Sequence, residues 1–487
     1  MTLAPPRASA RPSLVEQRPL RNPDLGSTAV MTRRGWWLIV ANLLIPGSAQ
    51  VLAGDRRLGR FGLGATLALW VMIVLIALGA LLAPSTLFAL ATGSSIPDFL
   101  SWFRWVPLTL VQGVLIGYAV LWIVLTIDTL RLVRLVRTGP LARFGIAIVA
   151  IGLTSTLVAG AGWAVQTVGT TRDAFAEIFA QSAPVVPPSD GYYNILLLGA
   201  DSGEGRDSMR FDSISVVSIN AASGAVTITG IPRDMPNFPF APGPMQDKYP
   251  NGHEGKYDPT CGWGSGINQL RTEVEVCQDG KALYPDAESR GSEPGIEATK
   301  DAAEGILGVQ IPYYVLLDMK GFANLVDALG GVDITVDERL PKGGPAYDGQ
   351  PVDDWAFGWI EPGAQHMDGD TAQWYARSRY TTSDFDRMRR QRQLQEAILA
   401  QFTPQNVLTH FQEVAAAGTN IVETDLPQGL IAPTLVDLAL KAKDQPVSTI
   451  ELTPEGGVDE FDPDYAQVQQ MVHDKLHPPT ETEAPAP

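Results

Sequence analysis

The residues in this sequence best suited to chemistry are arginines set among carboxylates. Asp201, Arg210, Asp212 and Arg233-Asp234 form one group. A second lies in Tyr375-Ala376-Arg377-Ser378-Arg379 and Asp384-Phe385-Asp386-Arg387-Met388-Arg389-Arg390-Gln391. Guanidinium groups grip phosphate oxygens two at a time, and paired carboxylates hold a hard cation such as Mg²⁺. An arginine cluster with a carboxylate pair is what a pyrophosphate–metal site requires. The same residues would equally serve as a structural network of Arg–Asp salt bridges. No nucleophile elbow, P-loop, dinucleotide fingerprint or His-Glu-x-x-His zinc motif occurs. The histidines, His253, His366, His410, His473 and His477, read as scattered surface or packing residues rather than ligands.

The elements that must position these groups follow from the apolar pattern. Tyr192–Gly199 contains a short continuous apolar run, the mark of a strand buried on both faces. Ser213–Asn220 and Ala225–Ile231 read as a hairpin. Asp201 then ends the first strand, Arg210 and Asp212 open the second, and Arg233-Asp234 follows the third. Strand ends are where α/β sheets hold ligands. Strands are expected at Tyr313–Asp318 and Val332–Val336, and helices at Ile296–Leu307, Met319–Leu329, Asp368–Arg377, Arg387–Gln401, Val407–Glu413 and Gln428–Leu440. Pro236 to Gly295, rich in Gly, Pro and charge with weak periodicity, reads as a long surface excursion. The fold class is α/β, a mixed central sheet flanked by helices.

Charge read by position shows a second kind of segment. The chain has 487 residues and a net charge of −17. Residues 1–143 hold 14 Arg and no Lys against five acids, a balance of +9, and the remainder holds 22 basic and 48 acidic residues, a balance of −26. Four apolar stretches lie in the basic part and directly after it, at 35–53, 61–83, 105–127 and 144–168. The last three suit membrane-spanning helices. The first, broken by Pro46-Gly47-Ser48 and bearing Asn42 and Gln50, suits a re-entrant hairpin. Arg33, Arg34, Arg56, Arg57 and Arg60 flank it, and Arg131, Arg134, Arg137 and Arg143 follow the third stretch. Basic segments stay in the cytoplasm, so an all-α multi-span anchor is expected to leave the acidic part outside the cell membrane. The organisation is a disordered cytoplasmic tail (1–34), an anchor (35–168), a Pro-rich stalk (169–190), a compact domain (191–475) and a disordered tail (476–487). An external domain of −26 excludes nucleic acid as a partner. Cys261 and Cys277 enclose 15 residues, a loop that a disulfide would stabilise by roughly 3 kcal/mol, with two free thiols as the other reading. With no Cys or His nearby, they do not suggest zinc.

In their order, Asn194–Asp201, Arg210-Phe211-Asp212, Ile231-Pro232-Arg233-Asp234, Gly330-Gly331-Val332-Asp333, Tyr375–Arg379 and Asp384–Gln391 resemble the LytR–CpsA–Psr family, over roughly residues 192–402. Pro46-Gly47-Ser48-Ala49-Gln50 and Gly54-Asp55-Arg56-Arg57 are similar to the multi-span anchors of actinobacterial members. The resemblance implies an α/β domain with an apolar cavity for a polyprenyl chain. It also implies a phosphotransferase that moves a glycopolymer from a polyprenyl-pyrophosphate carrier onto peptidoglycan at the membrane. Carried over by position, Asp201 and Asp212 would hold Mg²⁺ (or Mn²⁺). Arg210, Arg233, Arg377 and Arg379 would clamp the pyrophosphate, and Asp384, Arg387 and Gln391 would complete the site. The family's Lys-x-Asn after Pro-Arg-Asp is replaced by Asp247-Lys248-Tyr249-Pro250-Asn251-Gly252, which makes Lys248 the candidate phosphate contact there. Phe211 replaces the usual hydroxyl residue between Arg210 and Asp212. Two other readings stand beside transfer: a pyrophosphatase acting on the same carrier, and a non-enzymatic protein that binds the lipid-linked precursor.

Overall fold

The computed structural model describes residues 20–83, 86–87, 90, 106–178, 185–200, 210–254, 266–347, 349–378, 380–401, 422–442, 445–459 and 461–478. Asp201, Arg379, Cys261, His410 and the helix expected at 407–413 lie outside them. The chain forms two compact units, Met1–Gly169 and Thr170–Pro487.

The first unit is helical. α1 (Thr28–Leu44) and α2 (Ser48–Ala53) are separated at Pro46-Gly47, where Gly47 takes a left-handed φ of 96°. α3 (Arg56–Leu82), α4 (Val106–Val133) and α5 (Pro140–Ile178) follow. Arg56–Leu82, Val106–Arg137 and Pro140–Gly169 are long and apolar enough to cross a membrane. Helix continues into the arginine-bearing flanks because Arg is a good helix former. The amide nitrogens of Asn42 and Gln50, which lipid could not satisfy, find acceptors inside the unit. Asn42 Nδ2 donates to Thr126 Oγ1 at 3.2 Å, and Gln50 Nε2 donates to the Leu125 carbonyl and Thr129 Oγ1 at 2.9 and 3.0 Å. Gly35 abuts Val133 and Gly54 abuts Leu132, so the middle of α1 and the end of α2 lie beside the same end of α4.

The second unit is built on a six-stranded sheet. β1 (Tyr192–Ala200), β2 (Phe211–Asn220) and β3 (Val226–Gly230) form an antiparallel meander. After α6 (Pro244–Lys248) and α7 (Pro294–Leu307), β4 (Tyr313–Asp318) returns parallel to β1. α8 (Met319–Ala328) leads to a lobe made of β5 (Val332–Val336), β6 (Leu340–Lys342), β7 (Gly358–Ile360) and β8 (Gly363–Met367), which pair β5–β8 and β6–β7. α9 (Gly369–Arg377) and α10 (Asp384–Gln401) cover this lobe. β9 (Val422–Thr424), α11 (Val436–Ala442), β10 (Ser448–Glu451) and α12 (Tyr465–Leu476) complete the unit. The strand order is β10-β3-β2-β1-β4-β9.

Alternate strand residues go to opposite faces. Leu196, Leu198, Ile214, Val216, Tyr314 and Leu316 pack in one core with residues of α7, α12 and 238–287. The last segment corrects the expected surface excursion. Phe238, Met245, Ile267 and Val274 are fully buried in that core. Short helical turns and bridges, such as Phe238 with His253, bury single residues rather than a repeating face, so no period shows in the sequence. A half-buried polar knot holds the segment: Glu273 accepts from Tyr249 Oη at 2.7 Å and Gln278 Nε2 at 2.5 Å, and meets His253 Nε2 at 2.9 Å. Cys277 is disulfide-bonded.

Two outcomes check this packing. Phe238→Ala lowers the unfolding free energy of the second unit by about 3–5 kcal/mol, while Phe461→Ala, at an exposed position, changes it by less than about 0.5 kcal/mol. Denaturant titration of both variants reads the contrast. Asp301 on α7 accepts a 2.5 Å hydrogen bond from Tyr284, yet burial pushes its carboxyl up to about 6. A carboxyl whose folded pKa lies above its unfolded value favours folding at low pH and loses that contribution as pH rises through the folded value. Between pH about 4 and 6, wild type should therefore lose up to ~3 kcal/mol relative to Asp301→Asn.

Candidate functional site

The site begins with a register slip at the end of β1. Gly199 pairs with Ser213 but Ala200 pairs with Phe211, leaving Asp212 as the extra residue of a β-bulge. A bulge re-aims the side chain it leaves unpaired. The close approach needs glycine, since a Cβ on Gly199 would lie 2.9 Å from the Ser213 Cβ.

α10 faces the bulge. Its start is fixed by Ser383 and Asp386, which exchange hydrogen bonds: Asp386 Oδ2 accepts from the Ser383 N–H at 2.9 Å, and Ser383 Oγ accepts from the Asp386 N–H at 3.1 Å. The Ser383 contacts draw the Asp386 carboxyl below its ordinary range. The helix therefore begins at Asp384, three residues before the expected Arg387. Asp384, Arg387, Gln391, Leu394/Gln395 and Ile398 then recur at helical spacing on one side. Arg390 is structural. Its Nε donates to the Tyr375 carbonyl at 3.1 Å and its Nη2 to the Ser378 carbonyl, tying α10 to the end of α9, where Arg377 sits.

Between bulge and helix, Arg233 is the ionic hub. Its guanidinium meets Asp212 Oδ1 at 2.7 Å, Asp234 Oδ2 at 3.1 Å and Asp384 Oδ1 at 3.8 Å. Arg387, whose side chain is only 4% exposed, meets Asp384 Oδ1 at 2.9 Å. Burial alone would lower the Arg233 pKa, but Asp234, Asp212 and Asp384 hold it above the ordinary value. Arg233 stays cationic under all working conditions.

An apolar cavity of about 210 Å³ opens beside this cluster. It lies between the second face of the sheet and helices α8, α9 and α10, with Leu197, Val217, Leu317, Phe322, Leu394 and Ile398 in its wall. Asp212, Asp318 and Arg377 are its charged lining, and Ser213, Gln373, Gln391 and Gln395 its neutral polar lining. A smaller cleft shares Asp212, Ser213, Gln391 and Gln395 with the cavity and includes Arg233 and Arg387. The arrangement suits an amphiphile: an apolar chain within, an anionic head at the arginines.

The sequence matches the LytR_cpsA_psr family over residues 165–237 and 277–478, more than half of the chain. The chain belongs to the LytR_cpsA_psr family. A relative, the polyisoprenyl-teichoic acid–peptidoglycan teichoic acid transferase TagU of Bacillus cereus (strain AH820), is 28% identical over 238 residues, which cover 48% of this chain and 61% of TagU. The chain thus spans about three fifths of the length of the curated relatives it matches. Two solved structures are similar at low score: a Streptococcus agalactiae protein (TM-score 0.41, 21% identity, 58% of this chain and 88% of that one) and B. subtilis TagV (TM-score 0.38, 21% identity, 59% and 98%).

Of the residues that resemblance to the family assigned, Asp212, Arg233, Arg387, Gln391 and Arg377 line the cavity or its cleft, and Asp384 joins them through Arg233 and Arg387. Arg210 lies immediately before β2 and is exposed. Lys248 ends α6, exposed, with its Nζ 5.7 Å from the Tyr249 ring, and is not among the cavity-lining residues. The sequence reading missed Asp318, which ends β4 beside Ala200 and caps α8 by accepting from the Gly321 N–H at 2.6 Å. The signal was available, because parallel neighbouring strands present their carboxyl ends together. It also missed Arg392, held by Glu451 at 2.5 Å and packed against Gly230, where a Cβ would lie 2.3 Å from its Nη1.

Filling the cavity should separate chain from head. Ala376→Trp is expected to weaken binding of geranylgeranyl diphosphate at least tenfold, about 1.4 kcal/mol, with the thermal midpoint unchanged. Unaltered affinity would show that the chain binds elsewhere.

Proposed function

We propose that this chain is a membrane-anchored phosphotransferase that moves a glycopolymer from a polyprenyl-pyrophosphate carrier onto peptidoglycan. The observation that carries this reading is an apolar cavity lined at one side by Asp212, Arg377 and Gln391, next to the Arg233–Asp384–Arg387 cluster. Family membership and the teichoic acid transferase activity for which TagU is named support the same substrate and acceptor classes.

The polyprenyl chain enters the cavity and its pyrophosphate meets the arginines. An acceptor sugar hydroxyl attacks the glycan-side phosphorus, a new P–O bond forms, and the bond to the distal phosphate breaks. Polyprenyl phosphate leaves, so the phosphorus bonded to the glycan stays with it in a phosphodiester. Arg233, Arg377 and Arg387 stabilise the charge that develops on the phosphoryl oxygens, the largest contribution in reactions of this class. Asp384, oriented by Arg387 and Arg233, takes the hydroxyl proton. Asp212, a hard oxygen donor re-aimed by the bulge, fits Mg²⁺ (or Mn²⁺) binding together with substrate phosphate oxygens, and Asp201 would be its partner ligand. The cation would supply further charge neutralisation at the pyrophosphate.

The second unit is read as extracellular. The arginines at 33, 34, 56, 57, 60 and 131–143 favour the cytoplasmic side, and an α1–α2 pair whose Gly35 and Gly54 lie beside Val133 and Leu132 suits a hairpin that does not cross. Three spans then carry the chain outward. Peptidoglycan and the lipid-linked precursor are the partners on that side.

In a reconstituted assay with lipid-linked glycan and peptidoglycan fragments, Arg233→Ala and Arg377→Ala should each lower transfer by about 10²–10³-fold. Their thermal midpoints should match wild type, and chelation by EDTA should abolish transfer until Mg²⁺ is restored. Full transfer by either variant would sink the site assignment, and EDTA resistance would sink the cation.

A further inference from the structure

At one end of the second unit the structure contradicts the reading of the histidines as scattered. His473 and His477 stand four residues apart at the end of α12, one helical turn, with ring centroids 4.8 Å apart. Asp190, in the turn ahead of β1, brings its Oδ2 to 2.7 Å from His477 Nε2. One potential ligand atom from each of the three side chains lies within 4.8 Å of the other two, and among the described residues no other set of three converges in this way.

The backbone is arranged to keep them together. Asp190 adopts a left-handed φ of 49°, unusual for a residue with a side chain, and Gly191 follows at 81°. That turn is closed by reciprocal 2.9 Å hydrogen bonds between Ser189 and Tyr192. Tyr192 Oη donates to the Leu476 carbonyl, and its ring packs edge-on against His477 at 5.5 Å. The His477 N–H donates to the His473 carbonyl at 2.8 Å. The ligands are thus carried on two elements already latched to each other, while the side chains themselves remain accessible.

We propose that Asp190, His473 and His477 form a cation site of the zinc class that clips α12 to the turn ahead of β1. Two imidazoles and one carboxylate select Zn²⁺ or a similar borderline ion over Mg²⁺ and Ca²⁺, which prefer all-oxygen shells. Tetrahedral zinc at about 2.0–2.1 Å from its ligands needs them about 3.4 Å apart, within reach of exposed side chains by rotamer adjustment. Water fills the fourth position. The site is separate from the Arg233 cluster in composition and chemistry. An ion bound there joins the first strand of the unit to its last helix, so it stabilises the folded form alone.

The test uses the full chain, purified in detergent through a tag without histidine, stripped with a chelator and equilibrated with ZnCl₂. Wild type should retain one more equivalent of zinc after desalting than His473→Ala/His477→Ala. Its thermal midpoint should rise by about 5–10 °C more with saturating Zn²⁺ than with equal Mg²⁺, and the double variant should lose that difference. Asp190→Asn, a conservative change at an exposed position, should weaken zinc binding at least tenfold. Cobalt-loaded wild type should show the strong visible absorption of tetrahedral Co²⁺, which keeps the test valid if the double variant does not fold. Equal zinc retention by wild type and variants, or cobalt absorption of the weak octahedral type, would overturn the site.

Discussion

One guanidinium shared by three carboxylates organises the cavity end of the second unit. Arg233 follows β3, Asp212 lies in β2, Asp234 is its neighbour and Asp384 begins α10, so one cation joins sheet, loop and helix. The arrangement is also unsaturated in a useful sense. The Arg233–Asp384 contact, at 3.8 Å, is longer than a hydrogen bond, and the Asp212 and Asp384 side chains remain about one-third exposed. Ion pairs of that kind contribute little to stability but leave charge able to exchange partners. In the proposed reaction, phosphate oxygens arriving at Arg233 would displace carboxylates and free them for a cation or a proton.

The remaining geometry follows from holding this hub beside an apolar wall. The bulge at Asp212 turns a carboxylate toward the site while Leu197 and Val217 continue the sheet's apolar face into the cavity. On α10, polar Asp384, Arg387 and Gln391 give way to Leu394 and Ile398 one and two turns further along. Sheet and helix thus change from polar to apolar in step, as an anionic head joined to a long hydrocarbon chain requires. Arg390 and Arg392 pin α10 to α9 and β10 and keep that register from slipping.

Much of this was legible in the sequence. The apolar run of β1, the hairpin after it, the strands Tyr313–Asp318 and Val332–Val336 and the arginine-bearing motifs all depend on local pattern, which survives without tertiary information. What was not legible depended on pairing. Asp212 becomes special only through the β1–β2 register, and β10, a four-residue strand of mixed character, is defined by its ladder with β3. The segment from Pro236 to Gly295 was misread because its buried residues contact the core singly. Lys248 was assigned by motif and lies outside the cavity lining, and the histidines of α12 gain meaning only beside Asp190, far away in sequence.

Transfer differs from hydrolysis and from mere binding in the fate of the glycan-side phosphorus, and this can be followed directly. Purified full chain is supplied with polyprenyl-pyrophosphate glycan labelled with ³²P at the glycan-side phosphorus, with and without peptidoglycan fragments. The transferase reading predicts that polyprenyl phosphate is released only with the acceptor present and that the label appears in a phosphodiester joining glycan to peptidoglycan. Equal release without acceptor, with the label in free glycan phosphate, would contradict it, as would retention of intact substrate throughout.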